Sequence, residues 1–176
     1  MPNAILLIVG AAFLLTVVFF LVLAIKGSLK YRGPMLVTCP ETKQPAGVKV
    51  DRKFTAVNYM VGEQRLRLNQ CTRWPERQEC GQACLSQLED TPEACKVRNI
   101  LGSWYQDKAC VYCAKPFGAV HWHDHKPALR SPAGELVEWQ EIAIETLPQV
   151  LEVHQPVCWD CLIAESFRRR YPELVT

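Results

Sequence analysis

Several things are missing from this 176-residue chain, and each absence narrows its function. No Lys or Arg precedes residue 26, and the whole chain carries a net charge of only +2. A balance so close to neutral gives no bulk electrostatic case for nucleic acid. There is no GxxxxGK[ST] phosphate loop, no GxSxG elbow, no HExxH helix and no CxxCH haem attachment, so the common motif-borne chemistries have no foothold. No internal repeat is visible. Twelve prolines and nine glycines keep the helices short outside the first segment.

Two features are abundant. The first is an apolar run from Ala4 to Ile25, with its first charged neighbour at Lys26. At about 1.5 Å per residue it covers the roughly 30 Å hydrocarbon core of a bilayer. A cleaved signal peptide has a basic start and a shorter apolar stretch of about 7–15 residues, so the run reads as an anchor. Lys26, Lys30 and Arg32 follow it at once. The positive-inside rule then places residues 26–176 in the cytoplasm of a single-pass cell-membrane protein.

The second feature is nine cysteines. Cytosolic thiols stay reduced, so metal binding is preferred over disulfides. Cys110-Val-Tyr-Cys113 and Cys158-Trp-Asp-Cys161 are two CxxC pairs. Each pair offers two sulfurs to one side of a tetrahedral zinc ion, and together they complete it. A thioredoxin-like couple at Cys158 is the weaker rival, because no βαβ pattern surrounds it.

Knuckle, hairpin, then two ligands at a helix start resembles a treble clef. Residues 108–171 also resemble the HNH endonucleases of that type, through Cys110 and Cys113, Asp124-His125 with Pro127, and Cys158 and Cys161. That resemblance implies His125 as general base and Asp124 at a divalent ion. Leu162 and Glu165 stand where the family places its helix ligand and lysine. His121, His123 and His125 are therefore expected to pack, to face a partner or to give at most one ligand, and His154 to be structural.

The other cysteines follow Cys71-x8-Cys80-x3-Cys84-x10-Cys95, with Cys39 upstream. No ferredoxin spacing fits. Cys80 and Cys84 share a face of an expected helix, and Cys39 and Cys71 end expected strands. Cys39, Cys71, Cys80 and Cys84 are the favoured second metal set, with Cys95 replacing Cys39 as the alternative. Zinc, an iron–sulfur cluster, packed free thiols and disulfides all remain open there.

The expected fold class is α+β: transmembrane helix 4–25, juxtamembrane linker 26–34, a small antiparallel sheet with a helical pair over 35–107, and a treble-clef-like unit over 108–176. MLVTC, GVKVD and RLRLN alternate as strands. Helices are expected from Pro75 to Asp90, from Pro92 through CKVRNILGSWYQ, and from Trp159 to Tyr171, with AVHWH and LVEWQEI as strands. The favoured function is a membrane-anchored zinc-binding module that engages a protein partner, with Trp122, Trp139 and Trp159 as exposed anchors. No small-molecule substrate is evident, and a binding module is preferred to an enzyme. An iron–sulfur electron carrier and an HNH-type nuclease are the alternatives.

Overall fold

The computed structural model describes residues 2–76, 79–120 and 122–174. Helix α1 runs Pro2–Lys30 without interruption. Residues 5–22 are exposed all round, and the most apolar stretch of the span Ile5–Lys30 is not buried in the rest of the chain, whereas Gly27 near its end is. By length and composition this helix can cross a membrane. The expected linker 26–34 is corrected, because the helix continues to Lys30 and Tyr31 is buried. The reason is a partner helix, α2, spanning Arg52–Met60. A Cβ on Gly27 would meet the Tyr59 ring at 2.8 Å, so only glycine lets the two helices come this close. Arg52 donates to Ser28 Oγ through Nε at 3.1 Å and Nη2 at 2.9 Å.

Helix α2 is not expected from the alternation of residues 35–70. Its start is nevertheless written locally. Asp51 caps it by accepting the Phe54 N–H at 3.1 Å. Arg67 pairs with the same carboxyl and, with the Phe54 N–H, holds it below the ordinary carboxylate range. The hydroxyl of buried Thr55 donates to the Asp51 carbonyl at 2.9 Å.

Three strands form the first sheet: β1 Met35–Thr38, β2 Pro45–Val50 and β3 Leu68–Cys71. The order is β1-β2-β3 and both pairings are antiparallel, with Met35 opposite Val48 and Val48 opposite Cys71. Period-two alternation puts Met35, Val37, Ala46, Val48, Val50 and Leu68 into one core with Leu88, Cys84 and Cys95. The opposite face is also covered, since a Cβ on Gly47 would meet Ile144 at 2.8 Å.

The helices after Trp74 are shorter than expected. Helix α3 is only Leu85–Asp90, and Gln82 ahead of it has a left-handed φ of 54°. Cys80 and Cys84 are therefore not one turn apart on a helix. Cys80 lies in irregular chain and Cys84 is the N-cap residue of α3. Helix α4, Pro92–Cys95, and helix α5, Val97–Tyr105, are separated at Lys96, whose ψ of 122° is extended. The break lets Lys96 bridge to Met35 and the Val97 N–H donate to Pro34 O at 3.3 Å.

The second sheet has order β5-β4-β6 and is antiparallel: β4 Ala128–Arg130, β5 Leu136–Val137, β6 Gln155–Val157. Helix α6, Leu147–Val153, precedes β6, and helix α7, Trp159–Arg170, follows it. LVEWQEI is a strand only at its first two residues and then forms a 3-10 turn at Trp139–Glu141. AVHWH is not a strand: residues 122–124 turn, and His121 lies outside the described residues.

Helix α5 joins the two sheets. Tyr105 is fully buried, and its hydroxyl donates to Ala128 O in β4 at 2.8 Å. Trp104 Nε1 donates to Leu151 O in α6 at 2.9 Å. Val97, Leu101 and Leu147 form a further core there, packed by Trp122, Trp139 and Ile144. Tyr105→Phe keeps the ring but leaves the Ala128 carbonyl without this donor. The expected cost is about 1–3 kcal/mol, read from chemical denaturation. A variant as stable as the parent would show that the hydroxyl contributes nothing to joining the halves.

Candidate metal centre

The first CxxC pair sits on a tight turn closed by a bridge between Ala109 and Pro116. The Cys110 N–H donates to Lys115 O at 2.9 Å and the Ala114 N–H donates to Cys110 O at 2.9 Å. Ala114 adopts a left-handed φ of 56° to close the loop. The second pair opens α7: Cys158 is its N-cap residue and Cys161 lies within its first turn. Pairing of β4 with β6 carries the second pair to the first, and the Val111 N–H donates to Pro156 O at 3.0 Å.

The outcome is convergence. The sulfurs of Cys110, Cys113, Cys158 and Cys161 all lie within 4.8 Å of one another, and Cys113 and Cys158 are 3.7 Å apart. A tetrahedron with bonds of about 2.3 Å has edges of about 3.8 Å, so this four-cysteine cluster can hold a metal ion. Cys110 is buried and Cys113 is exposed, so the centre lies at the surface with one anchored corner. All nine cysteines are free thiols.

Electrostatics around the cluster favour one negative charge and resist more. Burial acts to raise the Cys110 pKa, but N–H groups of Cys158, Cys113 and Tyr112, together with the Cys158 thiol, outweigh it and lower it to about 6. The Cys158 N–H lies 3.3 Å from the Cys110 sulfur. Cys161 is pushed far up by burial and by the neighbouring thiols of Cys158, Cys113 and Cys110. Cys158 is also raised, chiefly by burial. Only a cation in the middle makes a second and third thiolate favourable.

Among the described residues, the histidines of this segment do not assemble. His125 stands edge-on to Trp159, with centroids 6.1 Å apart, whereas His123 lines a separate cleft beside Arg98 and Glu93. Asp124 is exposed, and His154 keeps a buried Nδ1 without a hydrogen-bond partner. Leu162, where the HNH pattern has its helix ligand, is buried in the core beneath α7. Among the described residues, no group of imidazoles and carboxylates closes around a common point. Trp122, Trp139 and Trp159 are half-buried core-packing residues, which corrects their reading as exposed anchors.

Four of the five remaining cysteines meet elsewhere. Cys39, Cys71, Cys80 and Cys84 line a single cavity of about 30 Å³ against the first sheet. Cys95 is not part of that lining; its buried sulfur faces Gln87 O at 3.8 Å. Burial, then the neighbouring thiols of Cys71 and Cys80, push Cys84 up to about 11.

The chain matches no family model, and neither a curated protein nor a solved structure is significantly similar to it. The chemistry of the site is thus the guide to function. Since Cys158 and Cys161 hold their protons tightly in the absence of a cation, loading one zinc ion near pH 7 should release at least two protons per chain. Calorimetry in buffers of different ionisation enthalpy reads this number. Release of less than one proton would show that the cluster does not bind through its thiolates.

Proposed function

We propose that this chain is a membrane-anchored, cytoplasm-facing zinc-binding protein that works by binding, as an interaction module or an accessory subunit of a membrane complex. The observation that carries the proposal is the closure of two sequence-distant CxxC pairs to within 4.8 Å, in a chain that also carries an unburied apolar helix. Four sulfur ligands fill the coordination of a tetrahedral ion and leave no position for substrate, which is the arrangement of a structural rather than a catalytic zinc site. A knuckle, a small sheet and a helix bearing the second pair support a treble-clef-like reading of residues 108–170.

The surface beside the centre supports the binding role. Ile163 and Phe167 on α7 are 50% and 49% exposed, and Tyr171 follows one turn on. These positions are spaced by four residues and so form one ridge. The Phe167 and Tyr171 rings pack with centroids 4.9 Å apart. An aromatic ridge on a helix whose first turn is tied to metal is a rigid element to offer a protein partner. The cytoplasmic orientation rests on Lys26, Lys30 and Arg32 directly after the apolar run.

Two measurements test the proposal. The chain purified in detergent should carry zinc, and Cys113→Ser with Cys161→Ser should remove one equivalent of it. Undiminished metal in that double variant would sink the cluster as a zinc site. Separately, an epitope placed after Thr176 should be inaccessible to antibody on intact cells and accessible once they are permeabilised. Staining of intact cells would overturn the cytoplasmic placement, and with it the preference for metal over disulfides.

A further inference from the structure

The β1–β2 hairpin turn repeats the backbone of the metal knuckle. In the knuckle, Cys110 donates its N–H to the residue five places on, accepts from the residue four places on, and that residue, Ala114, has φ 56°. In the hairpin, the Cys39 N–H donates to Gln44 O at 2.8 Å, the Lys43 N–H donates to Cys39 O at 2.8 Å, and Lys43 has φ 57°. The offsets are identical. Neither alanine nor lysine favours the left-handed region, so residue preference does not explain the shared shape.

The shared shape has a shared effect. In the knuckle, N–H groups of Tyr112 and Cys113 act on the Cys110 sulfur, and in the hairpin those of Glu41 and Thr42 act on the Cys39 sulfur. Thr42 occupies the place of Cys113. Its hydroxyl oxygen is buried and has no hydrogen-bond partner.

Three more sulfurs face the same space. Cys71 ends β3, Cys80 accepts the Gln82 N–H at 3.4 Å, and buried Cys84 begins α3. With Cys39 they line the cavity of about 30 Å³, which exceeds the roughly 10–15 Å³ that a water molecule needs. Arg73 lines it too, with a buried Nε that has no partner. Thiols that merely fill a core need neither aimed N–H groups nor a guanidinium beside them. Thiolates gathered on a cation gain from aimed N–H groups, because four thiolates and one divalent ion leave two negative charges to offset; the Arg73 guanidinium beside them also reaches Glu76 and Gln44, and Glu41 lines the same cavity.

We propose that Cys39, Cys71, Cys80 and Cys84 form a second tetrathiolate site, separate from the first centre, that takes a single tetrahedral divalent ion of the zinc type. The four sulfurs stand wider apart than those of the first centre, which among the described residues is the one group that closes to within 4.8 Å. Bonds of about 2.3 Å therefore require the ring to contract, and the cavity leaves the side chains room to rotate inward.

Cobalt(II) is the probe, because its tetrahedral thiolate complexes are coloured. The full chain in detergent, stripped of metal anaerobically, should bind two equivalents with thiolate charge-transfer absorption. Cys84→Ser should bind one, and Cys161→Ser should bind one at the other place. Thr42→Cys keeps every native sulfur and puts a thiol where the knuckle has Cys113; it should alter the cobalt spectrum of the Cys161→Ser chain. Saturation of the parent at one equivalent that Cys161→Ser loses and Cys84→Ser keeps overturns the second site. So does a Thr42→Cys spectrum identical to that of its parent. Iron with acid-labile sulfide in the purified protein overturns the single-ion occupant in favour of an iron–sulfur cluster. Failure of the first centre alone would appear as one equivalent in the parent that Cys161→Ser keeps and Cys84→Ser loses.

Discussion

Several backbone N–H groups converge on the sulfur of Cys110, and the second half of the fold depends on that convergence. One donor comes from Cys158 and two come from the knuckle's own turn. A single sulfur thereby pins together segments that lie 48 residues apart. The β4–β6 pairing and the Val111 N–H bond to Pro156 O act beside it. The local core is four fully buried residues, Cys110 among them, and the strands beside it are two or three residues long. A sheet this short does not hold itself together in water. An ion bound by these thiolates would add to the stability of the fold in the same act.

The first half is organised around a larger apolar core, and its polar interactions play a different part. Asp51 caps a helix, pairs with Arg67 and supports Thr55. Gln82 and Gln87 donate to or accept from strand backbone at Leu68 and Thr38. These contacts place irregular chain against the open ends of the first sheet, where Cys39 and Cys71 also lie. Irregular backbone in a buried position has to find partners for its N–H and C=O groups, and two glutamine side chains supply several of them.

The metal-type residues were legible in the sequence, and much of the scaffold was not. CxxC spacing is a statement about coordination chemistry and survives any arrangement of helices and strands around it. The first two strands of the first sheet were legible because their alternation matches a half-buried surface, whereas the third, expected over RLRLN, begins only at Leu68 and runs on to Cys71. Residues 52–60 were hidden for the converse reason: Asp51 announces a helix, but the helix is held by Gly27 and Ser28 far away in sequence. Pro75 to Cys84 reads as a helix by propensity. Its described part does not form one, because Gln82 turns left-handed and gives its N–H to Cys80 instead of to a helical carbonyl. AVHWH alternates like a strand, yet the described part turns and sends Trp122 against Trp139 and His125 toward Trp159. In each case a distant side chain or a local turn outweighed a propensity rule.

The close approach of Gly27 to Tyr59 has a mechanical meaning. A flexible tether would let the domain sample a wide volume around its anchor. Here the helix end interlocks with α2 and is fastened by Arg52 to Ser28, so no slack separates span from domain. A rotation of the helix end is therefore passed directly to α2. With the helix in a bilayer, as proposed, a change of bilayer thickness or helix tilt would be passed to the domain and to the aromatic ridge on α7.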